Sequence, residues 1–452
     1  MLSPEEKPSP FQTRTSPTTK TFAIRTKPSL LSDSFLFAAG ASVSLFLVWA
    51  LSDSFNPTPD LSSFNSTPLK CAGSAQSTIN LNLHPDPPTA NFYDDPNLTY
   101  SFKNTIKNWD FKRQDWLRQH PEFTSVGHAD RILLITGSQP SPCKNPIGDH
   151  LLFRLFKNKV DYCRINGYDI FYNNALLNPK MGHYWAKLPI IRAAMLAHPE
   201  IEWIWWVDSD ASFTDMDFRL PLAKYKSHNL IVHGWPREIY ERKSWVGLNA
   251  GVFLIRNCQW SMDFMDVWAN MGPQSPEYEK WGEIQQSVMK NKRLPESDDQ
   301  AALVYFLLEE KGKWGNKIYL ESDFYFEGYW VEIVGTLANV TEKYRELERG
   351  VRRLRRRHAE KVSGYYGEIR EEHMKGWGIG QGSLRRPFIT HFVGCEPCSG
   401  THNEIYTWES CREGMERALN FADDQVLRNF GFGREDLLDV GTVVPREYDF
   451  PA

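Results

Sequence analysis

The stretch IEWIWWVDSD, residues 201–210, decides how the fold of this chain is interpreted. Its middle, WIWWV, is apolar on both faces, which is typical of a central strand in a parallel sheet. Asp208 and Asp210 follow this run with only Ser209 between them. Side chains two residues apart on a strand point the same way, so both carboxylates are expected to face one place.

Strand and helix patterns alternate around this stretch. The strand patterns are RILLITGS, YDIFYNN, NLIVHGW and AGVFLIRN, and the helix patterns are DHLLFRLFKNKVDYCRIN, YWAKLPIIRAAMLAHPE and WSMDFMDVWANM. Strands that alternate with helices predict an α/β fold in three layers with a mostly parallel central sheet. The sequence therefore predicts a Rossmann-like domain with the two acids at the carboxyl end of a central strand.

Composition and charge indicate a globular chain with a sizeable core. The 452 residues are 41% hydrophobic and 13% aromatic, with 16 Trp, and the net charge is −4. We expect most of the Trp residues in the core. The balanced charge offers no basic surface of the kind that binds nucleic acid, so we expect no nucleic-acid partner.

One N-terminal segment predicts a membrane anchor. FLFAAGASVSLFLVWAL, residues 35–51, is uncharged and mostly apolar, and basic residues precede it. We expect a cytoplasmic tail over 1–33, a type II anchor over 34–51, a lumenal stem over 52–100 and a catalytic domain over 101–452. A cleaved signal peptide is the alternative, and it fits less well because a long segment precedes the apolar run.

The lumenal side is expected to be oxidising and glycosylated. Three N-x-S/T sequons lie there, at Asn65, Asn97 and Asn339. The chain has seven cysteines, so at least one has no partner within the chain. Short loop lengths favour the disulfides Cys143–Cys163 and Cys398–Cys411. A structural zinc site is not expected, because the Cys-x-x-Cys that begins at Cys395 has no second ligand pair.

Residues 340–383 form a charged insertion in the predicted catalytic domain. Apolar residues recur there at helical spacing among many Arg, Lys and Glu residues. We expect a surface helix or a helical hairpin. Its Arg run suits an anion or a membrane surface, and a solvated helix face is the plainer interpretation.

Two carboxylates held at one place need a cation between them. Their hard oxygens suit Mn²⁺ or Mg²⁺, which can bridge the diphosphate of a nucleotide. A metal-bound nucleoside diphosphate is a good leaving group, because the metal offsets the charge that develops as it departs. D-x-D also occurs by chance in turns and helix caps, but its place after a buried strand favours a metal site.

Other polar clusters are candidates for the same site. They are Asn249, Ala250 and Gly251 in GLNAGVF, Asp298, Asp299 and Gln300 in ESDDQAA, His391 in FITHFVG, and Lys187 in YWAKLP. Small residues before a strand allow backbone to approach a ligand closely, and a Lys can meet phosphate. The plainer interpretations are an acidic helix N-terminus, a core His and a surface Lys.

From about residue 92 to the C-terminus, the chain resembles plant cell-wall glycosyltransferases that include xyloglucan α-1,6-xylosyltransferases and galactomannan α-1,6-galactosyltransferases. The matching stretches are NPIGDHLLFRLFKNKVDYCR, YWAKLPIIRAAMLAHPE, WWVDSDASFTDM, VGLNAGVFLIRNCQWSMDFMDVWANMGPQSPEYEKWGE and RRPFITHFVGCEPC. The resemblance implies a GT-A fold, a Golgi type II anchor, Mn²⁺, a UDP-sugar donor and retention of anomeric configuration. It also implies that His391 completes the metal site of Asp208 and Asp210, and that Lys187 lies near the donor.

Three further stretches resemble the galactosyltransferase branch. They are GLNAGVFLIRNCQWSMDFMDVWA, YFEGYWVEI and RRRHAEKVS. The xylosyltransferases tend to carry Thr and Ser where Ala250 and Val252 stand, and Lys where Glu396 stands. We expect Ala250 to leave room for the CH₂OH group of galactose, and we assign no phosphate role to position 396.

The resemblance implies a retaining α-1,6-galactosyltransferase that uses UDP-galactose and a mannan-type acceptor. Asp298, Asp299 and Gln300 are expected to border donor and acceptor. The alternatives are a xyloglucan xylosyltransferase that uses UDP-xylose, a non-catalytic Golgi scaffold and a metal-dependent lumenal hydrolase. We expect a Golgi membrane location, with room for a homo-oligomer or a complex with other Golgi glycosyltransferases.

Overall fold

A computed structural model describes residues 101–123, 131–355, 363–437 and 443–445. The predicted tail, anchor and stem lie outside these residues, as do the sequons at Asn65 and Asn97. Within the described ranges, no helix combines the length and the apolar character that crossing a bilayer requires.

The described strands and helices follow the predicted alternation. The strands are β1 (Ile132–Gly137), β2 (Asp169–Asn173), β3 (Trp203–Val207), β4 (Ala211–Phe213), β5 (Leu230–Gly234), β6 (Leu248–Arg256), β7 (Ile318–Glu321), β8 (Gly328–Tyr329), β9 (Ile389–His391), β10 (Phe432–Arg434) and β11 (Val443–Pro445). The helices are α1 (Trp109–Gln119), α2 (Gly148–Asn166), α3 (Lys187–Ala197), α4 (Pro236–Tyr240), α5 (Gln259–Ala269), α6 (Tyr278–Val288), α7 (Asp299–Glu309), α8 (Trp330–Ile333), α9 (Leu337–Gly350), α10 (Ser363–His373) and α11 (Trp408–Arg428). α2 ends where predicted, because Gly167 adopts the left-handed conformation, with φ 75°, that stops a helix.

The central sheet has six strands in the order β2-β1-β3-β6-β5-β7, and β3 is central, as predicted. β6 runs antiparallel to both of its neighbours, whereas the other pairings are parallel. Five of the six strands run in the same direction, so the sheet is mostly parallel as predicted, and the reversed β6 makes it a mixed sheet. β6 is almost entirely buried, so its apolar pattern is the same in either direction and does not specify its orientation.

The sheet separates two apolar cores. On one face, Ile204 and Trp206 pack with side chains of α3, α5 and α7. On the other face, Trp205 and Val207 pack with Tyr162 of α2 and with α11. All five residues of β3 are buried, as its apolar sequence predicted. This three-layer packing fixes the carboxyl end of β3 and the acids that follow it.

A second, three-stranded sheet has the order β4-β9-β8. β4 directly follows the two acids, and its first residue, Ala211, pairs antiparallel with His391 on β9. β8 lies on the other side of β9 and runs parallel to it. This small sheet brings His391 next to the acids, although about 180 residues separate them in the chain.

The charged insertion contains two helices, α9 and α10, with a 3₁₀ turn at Arg352–Arg355 after α9. Leu354 packs against Tyr366 and Ile369 in a small apolar cluster. These helices confirm the predicted helical character. Asn339 is exposed on α9.

Both predicted disulfides are wrong. The structure pairs Cys143 with Cys398 and Cys395 with Cys411, and it leaves Cys163 and Cys258 free. Cys163 lies on the buried face of α2, where it packs in the core. Cys143 lies in the loop before α2, where it meets the loop after β9 at a sequence separation of 255. Spatial packing, and not loop length, decided these pairings.

Candidate active site

Asp208, Ser209 and Asp210 form a turn between β3 and β4, which we call the acidic turn. The amide of Asp208 donates to the carbonyl of Gly251 on β6, at 2.8 Å. The carbonyl of Asp210 accepts from the amide of Phe392 just after β9, at 3.1 Å. Backbone hydrogen bonds to both sheets therefore hold the acidic turn in place.

Asp208, Asp210 and His391, the three candidate metal ligands, lie close together. One ligand atom from each residue lies within 4.8 Å of the others. His391 Nε2 is 3.3 Å from Asp210 Oδ1. Two carboxylates and an imidazole are a donor set that suits Mn²⁺, so the residues fit the cation that the sequence implies.

Gly251 makes room for this cluster. A Cβ atom at this position would lie 2.3 Å from His391 Cε1 and 2.7 Å from Asp208 Oδ2. Both distances are too short for any side chain to be accepted without moving a candidate metal ligand. This is the close backbone approach for which the sequence predicted small residues.

Lys187, at the start of α3, reaches the acidic turn from within the protein. Its Nζ lies 2.7 Å from Asp299 Oδ2 and 3.7 Å from Asp208 Oδ1, and it donates to the carbonyl of Ala250 at 2.9 Å. Burial opposes the ammonium charge, but Asp208 and Asp299 together raise the pKa of Lys187. With 3% of its side chain exposed, it is not a surface Lys.

Asp298 and Asp299 lie at the start of α7, where both are buried and paired. Asp298 is the N-cap: its Oδ1 accepts from the amide of Ala301 at 2.6 Å, and its Oδ2 pairs with Lys292 at 2.8 Å. This is the acidic helix N-terminus of the plainer interpretation. Asp299 instead reaches Lys187, and burial raises its pKa to about 6 against the attraction of that ammonium.

The side chain of Gln300, on α7, forms hydrogen bonds with β6 and with the turn before it. Its Oε1 accepts from the amide of Ala250 at 3.2 Å, and its Nε2 donates to the carbonyl of Trp245 at 3.1 Å. The side chain of Ala250 packs in the apolar core, so Ala250 reaches the site through its backbone. Asn249 Oδ1 accepts from the amide of Gly251 at 2.7 Å. These residues fix the backbone against which the acidic turn lies.

A cavity of about 690 Å³ opens beside the acidic turn. Its lining includes Gly137 at the end of β1, Asn173 at the end of β2 and Trp206 near the end of β3, together with Lys187. Cys398, which forms a disulfide with Cys143, is also part of the wall. Ligands of α/β sheets bind at the carboxyl ends of parallel strands, and this cavity lies there.

Sequence reasoning missed two buried ionisable residues at the site. Lys159 on α2 lies beneath the acidic turn and donates to the carbonyls of Ser209, at 3.2 Å, and Ala211, at 2.6 Å. Burial lowers its pKa to about 7, although Asp210 and Asp208 oppose this shift. A Lys on the apolar stripe of α2 was the signal that could have revealed it.

The second missed residue is Glu327, just before β8. Its Oε1 lies 3.0 Å from His391 Nδ1. Burial opposes a charge on His391, but Asp210 and Glu327 raise its pKa to about 10. Glu327 stands in YFEGYWVEI, a stretch noted only for its resemblance, and no local pattern links it to His391.

The chain matches known proteins over most of its length. The model of the galactosyl transferase GMA12/MNN10 family matches residues 128–402. Putative glycosyltransferase 7 of Arabidopsis thaliana is 56% identical, with 100% of this chain and 99% of that protein covered. Galactomannan galactosyltransferase 1 of Cyamopsis tetragonoloba is also 56% identical, with 95% and 99% covered. Probable xyloglucan 6-xylosyltransferase 3 of Arabidopsis thaliana is 47% identical, with 78% and 69% covered.

The matched residues make up more than half of the chain and include the acidic turn and His391. The chain belongs to the galactosyl transferase GMA12/MNN10 family and is a glycosyltransferase.

Proposed function

We propose that this chain is a retaining α-1,6-galactosyltransferase of cell-wall polysaccharide synthesis. It transfers galactose from UDP-galactose to mannose residues of a β-1,4-(gluco)mannan backbone. The observation that carries this proposal is the convergence of Asp208, Asp210 and His391 beside a cavity large enough for a nucleotide sugar. The 56% identity to a galactomannan galactosyltransferase supports the choice of sugar and acceptor.

Asp208, Asp210 and His391 are the residues that would hold Mn²⁺, with Mg²⁺ as the second candidate. When bound there, the cation supplies Lewis acidity that offsets the negative charge of a departing diphosphate. Lys187 adds a buried positive charge at the edge of the same cavity, next to Asp208. On this proposal Lys187 is the chain's own cation near the place where the negative charge of the leaving group develops.

Asp299 and Gln300 are the residues proposed to border the transferred sugar. Retention is compatible with two routes: a double displacement with a carboxylate nucleophile, or a front-face route in which the leaving phosphate takes the acceptor proton. On the first route Asp299 is the candidate nucleophile, and its pairing with Lys187 favours the ionised carboxylate. On the second route both side chains shield an oxocarbenium-like state.

The acceptor is proposed to lie near the end of β5, on the half of the central sheet that the cavity does not cover. The cavity covers the ends of β1, β2 and β3, whereas Trp235 follows the end of β5 and is 45% exposed. Its ring packs edge-on against His233, with centroids 4.6 Å apart. An exposed, fixed indole suits the apolar face of a hexopyranose.

The catalytic domain is proposed to be of the GT-A type and to lie in the Golgi lumen. Residues 34–51 would anchor it as a single-pass type II membrane protein, with residues 52–100 as the stem. Asn65, Asn97 and Asn339 are the proposed glycosylation sites. A homo-oligomer or a complex with other Golgi glycosyltransferases is compatible with this arrangement.

A xyloglucan α-1,6-xylosyltransferase that uses UDP-xylose is the second candidate function. The 47% identity to a probable xyloglucan 6-xylosyltransferase favours it. The same acidic turn, His391 and cavity would serve either donor, since galactose and xylose share the diphosphate and differ only in the sugar.

The test is transfer by the full-length chain, purified in detergent, with Mn²⁺ present. UDP-galactose, UDP-xylose and UDP-glucose are each offered with mannohexaose and with cellohexaose. We expect UDP-galactose with mannohexaose to give the highest kcat/KM and an α-1,6 linkage in the product. A preference for UDP-xylose with cellohexaose would replace the proposal with the second candidate. Activity that is unchanged in the presence of EDTA would contradict the metal-dependent mechanism.

A further inference from the structure

A buried carboxylate lies behind His391, on the side away from the acidic turn. Glu327 Oε1 is 3.0 Å from His391 Nδ1, and each side chain is 5% exposed. The other ring nitrogen, Nε2, is 3.3 Å from Asp210 Oδ1. The imidazole of His391 therefore has a carboxylate at each of its two nitrogens.

The backbone holds Glu327 in this position. The next residue, Gly328, begins β8, which pairs parallel with β9 so that Tyr329 lies opposite His391. A Cβ atom on Gly328 would lie 2.7 Å from the carbonyl oxygen of Ile389 and 2.4 Å from Ile333 Cδ1. The absence of a side chain at position 328 thus allows β8 to approach β9 closely and brings Glu327 to the ring of His391.

The second oxygen of Glu327 faces another buried histidine. Glu327 Oε2 lies 3.7 Å from His233 Nε2, which is longer than a hydrogen bond. Among the residues that the structure describes, neither ring nitrogen of His233 has a hydrogen-bond partner. The hydrogen bond of Glu327 is therefore directed to His391, and a polar group buried at this depth requires such a partner.

We propose that Glu327 is a positioning residue that sets the affinity of the site for a divalent cation. Its carboxylate accepts a hydrogen bond from the Nδ1–H of His391, which leaves the Nε2 lone pair directed toward Asp208 and Asp210. A carboxylate on the non-ligating nitrogen fixes the tautomer and the orientation of a metal-binding imidazole and raises its basicity. This inference rests on the proposed metal-dependent transfer and names a residue that supports it.

The test measures Mn²⁺ binding directly, from the EPR signal of free Mn²⁺ during titration of the full-length protein in detergent. We expect Glu327→Ala to weaken Mn²⁺ binding by about 10- to 100-fold. Glu327→Gln has the same shape and can still accept from Nδ1, but it has no charge, so a smaller loss is expected. At saturating Mn²⁺, kcat of Glu327→Gln should return toward the wild-type value, because only cation affinity has changed.

Glu321→Gln is the matched control. Glu321 is also a buried carboxylate, and it pairs with Lys224 at 2.9 Å and with the hydroxyl of Tyr225. It lies on β7, directly opposite His233 on the neighbouring strand β5, and its side-chain hydrogen bonds among the described residues go to Lys224, Tyr225 and the amide of Asp323. We expect a lower melting temperature in Glu321→Gln with unchanged Mn²⁺ affinity. Equal losses of Mn²⁺ affinity in Glu321→Gln and Glu327→Gln would overturn the proposal in favour of general destabilisation.

A double-mutant cycle asks whether Glu327 acts through His391. In the His391→Ala background, Glu327→Gln should no longer change the residual Mn²⁺ affinity of the acidic turn. An undiminished effect in that background would overturn the positioning role, as would wild-type affinity in Glu327→Ala. If the wild-type protein itself bound no Mn²⁺, the proposed metal-dependent transfer would fail together with this inference. Mn²⁺ binding by the wild type with unaltered affinity in the Glu327 variants would overturn this inference alone.

Discussion

Two buried lysines lie on opposite sides of the acidic turn, and they differ in their partners. Lys187, at the cavity, pairs with Asp299 and lies near Asp208. Lys159, beneath the turn, donates only to backbone carbonyls among the contacts described. The pKa of Lys187 is raised, whereas burial lowers the pKa of Lys159 to about 7.

The difference shows what a carboxylate in direct contact does for a buried ammonium. Asp208 and Asp210 act to raise the pKa of both lysines, so each lysine experiences the charge of the acidic turn. Only Lys187 has a carboxylate oxygen at hydrogen-bond distance, and the attraction of Asp208 and Asp299 together outweighs the cost of burial. Carbonyl dipoles beneath the turn do not offset that cost for Lys159, although they fix the position of its amine.

Removal of the anions between the two lysines should have the largest effect. We expect Asp208→Asn or Asp210→Asn to lower kcat/KM by at least about 1,000-fold, because several kcal/mol of charge stabilisation are lost. Neither carboxylate packs in the core, so the circular dichroism spectrum should stay unchanged. Activity that persists in either variant in the presence of EDTA would show that the acidic turn does not bind an essential cation.

Loss of the cavity-side lysine should have the next largest effect. In Lys187→Met, Asp299 is left buried without its partner, and the free energy of unfolding should fall by about 3–5 kcal/mol. We expect kcat/KM to fall by about 100-fold on the scale of one lost electrostatic contact. Chemical denaturation and steady-state kinetics measure the two effects. In Lys187→Met/Asp299→Asn, stability should partly recover while activity does not, and full recovery of both would remove Lys187 from the active site.

Loss of the lysine beneath the turn should have the smallest effect on activity and a distinctive effect on pH dependence. Between about pH 7 and the unfolded value near 10.4, the unfolded chain binds a proton at Lys159 that the folded chain does not. The free energy of unfolding therefore rises with pH in this window, by up to about 1.4 kcal/mol per pH unit from this group. Lys159→Met should lack this contribution.

Urea unfolding of the wild type and Lys159→Met at pH 6.5, 8 and 9.5 tests whether the free energy of unfolding changes with pH in this direction. The stability difference between the two proteins should shift in favour of the wild type as pH rises. A constant difference would show that Lys159 stays charged like Lys187. Lys290→Met is the matched control, because it replaces an exposed lysine by the same residue.

Much of the fold and part of the site follow from local patterns in the sequence. The strand at residues 203–207, the stop of α2 at Gly167 and the close approach at Gly251 were each readable from a few neighbouring residues. The orientation of β6 could not be predicted in this way, because an almost entirely buried strand has the same apolar pattern in both directions. Neither disulfide could be predicted, because loop length does not measure distance in space.

The sequence by itself determined which residues would be brought to the carboxyl edge of the sheet. Burial and period specify strands and helices locally, and the acids that follow an apolar strand must lie at its end. The tertiary structure alone decided which partners they meet there. Lys159 donates to the carbonyl of Ser209 in the acidic turn, 50 residues away in the chain. Glu327 contacts His391, 64 residues away. Such contacts arise from the packing of separate elements, which no local periodicity encodes.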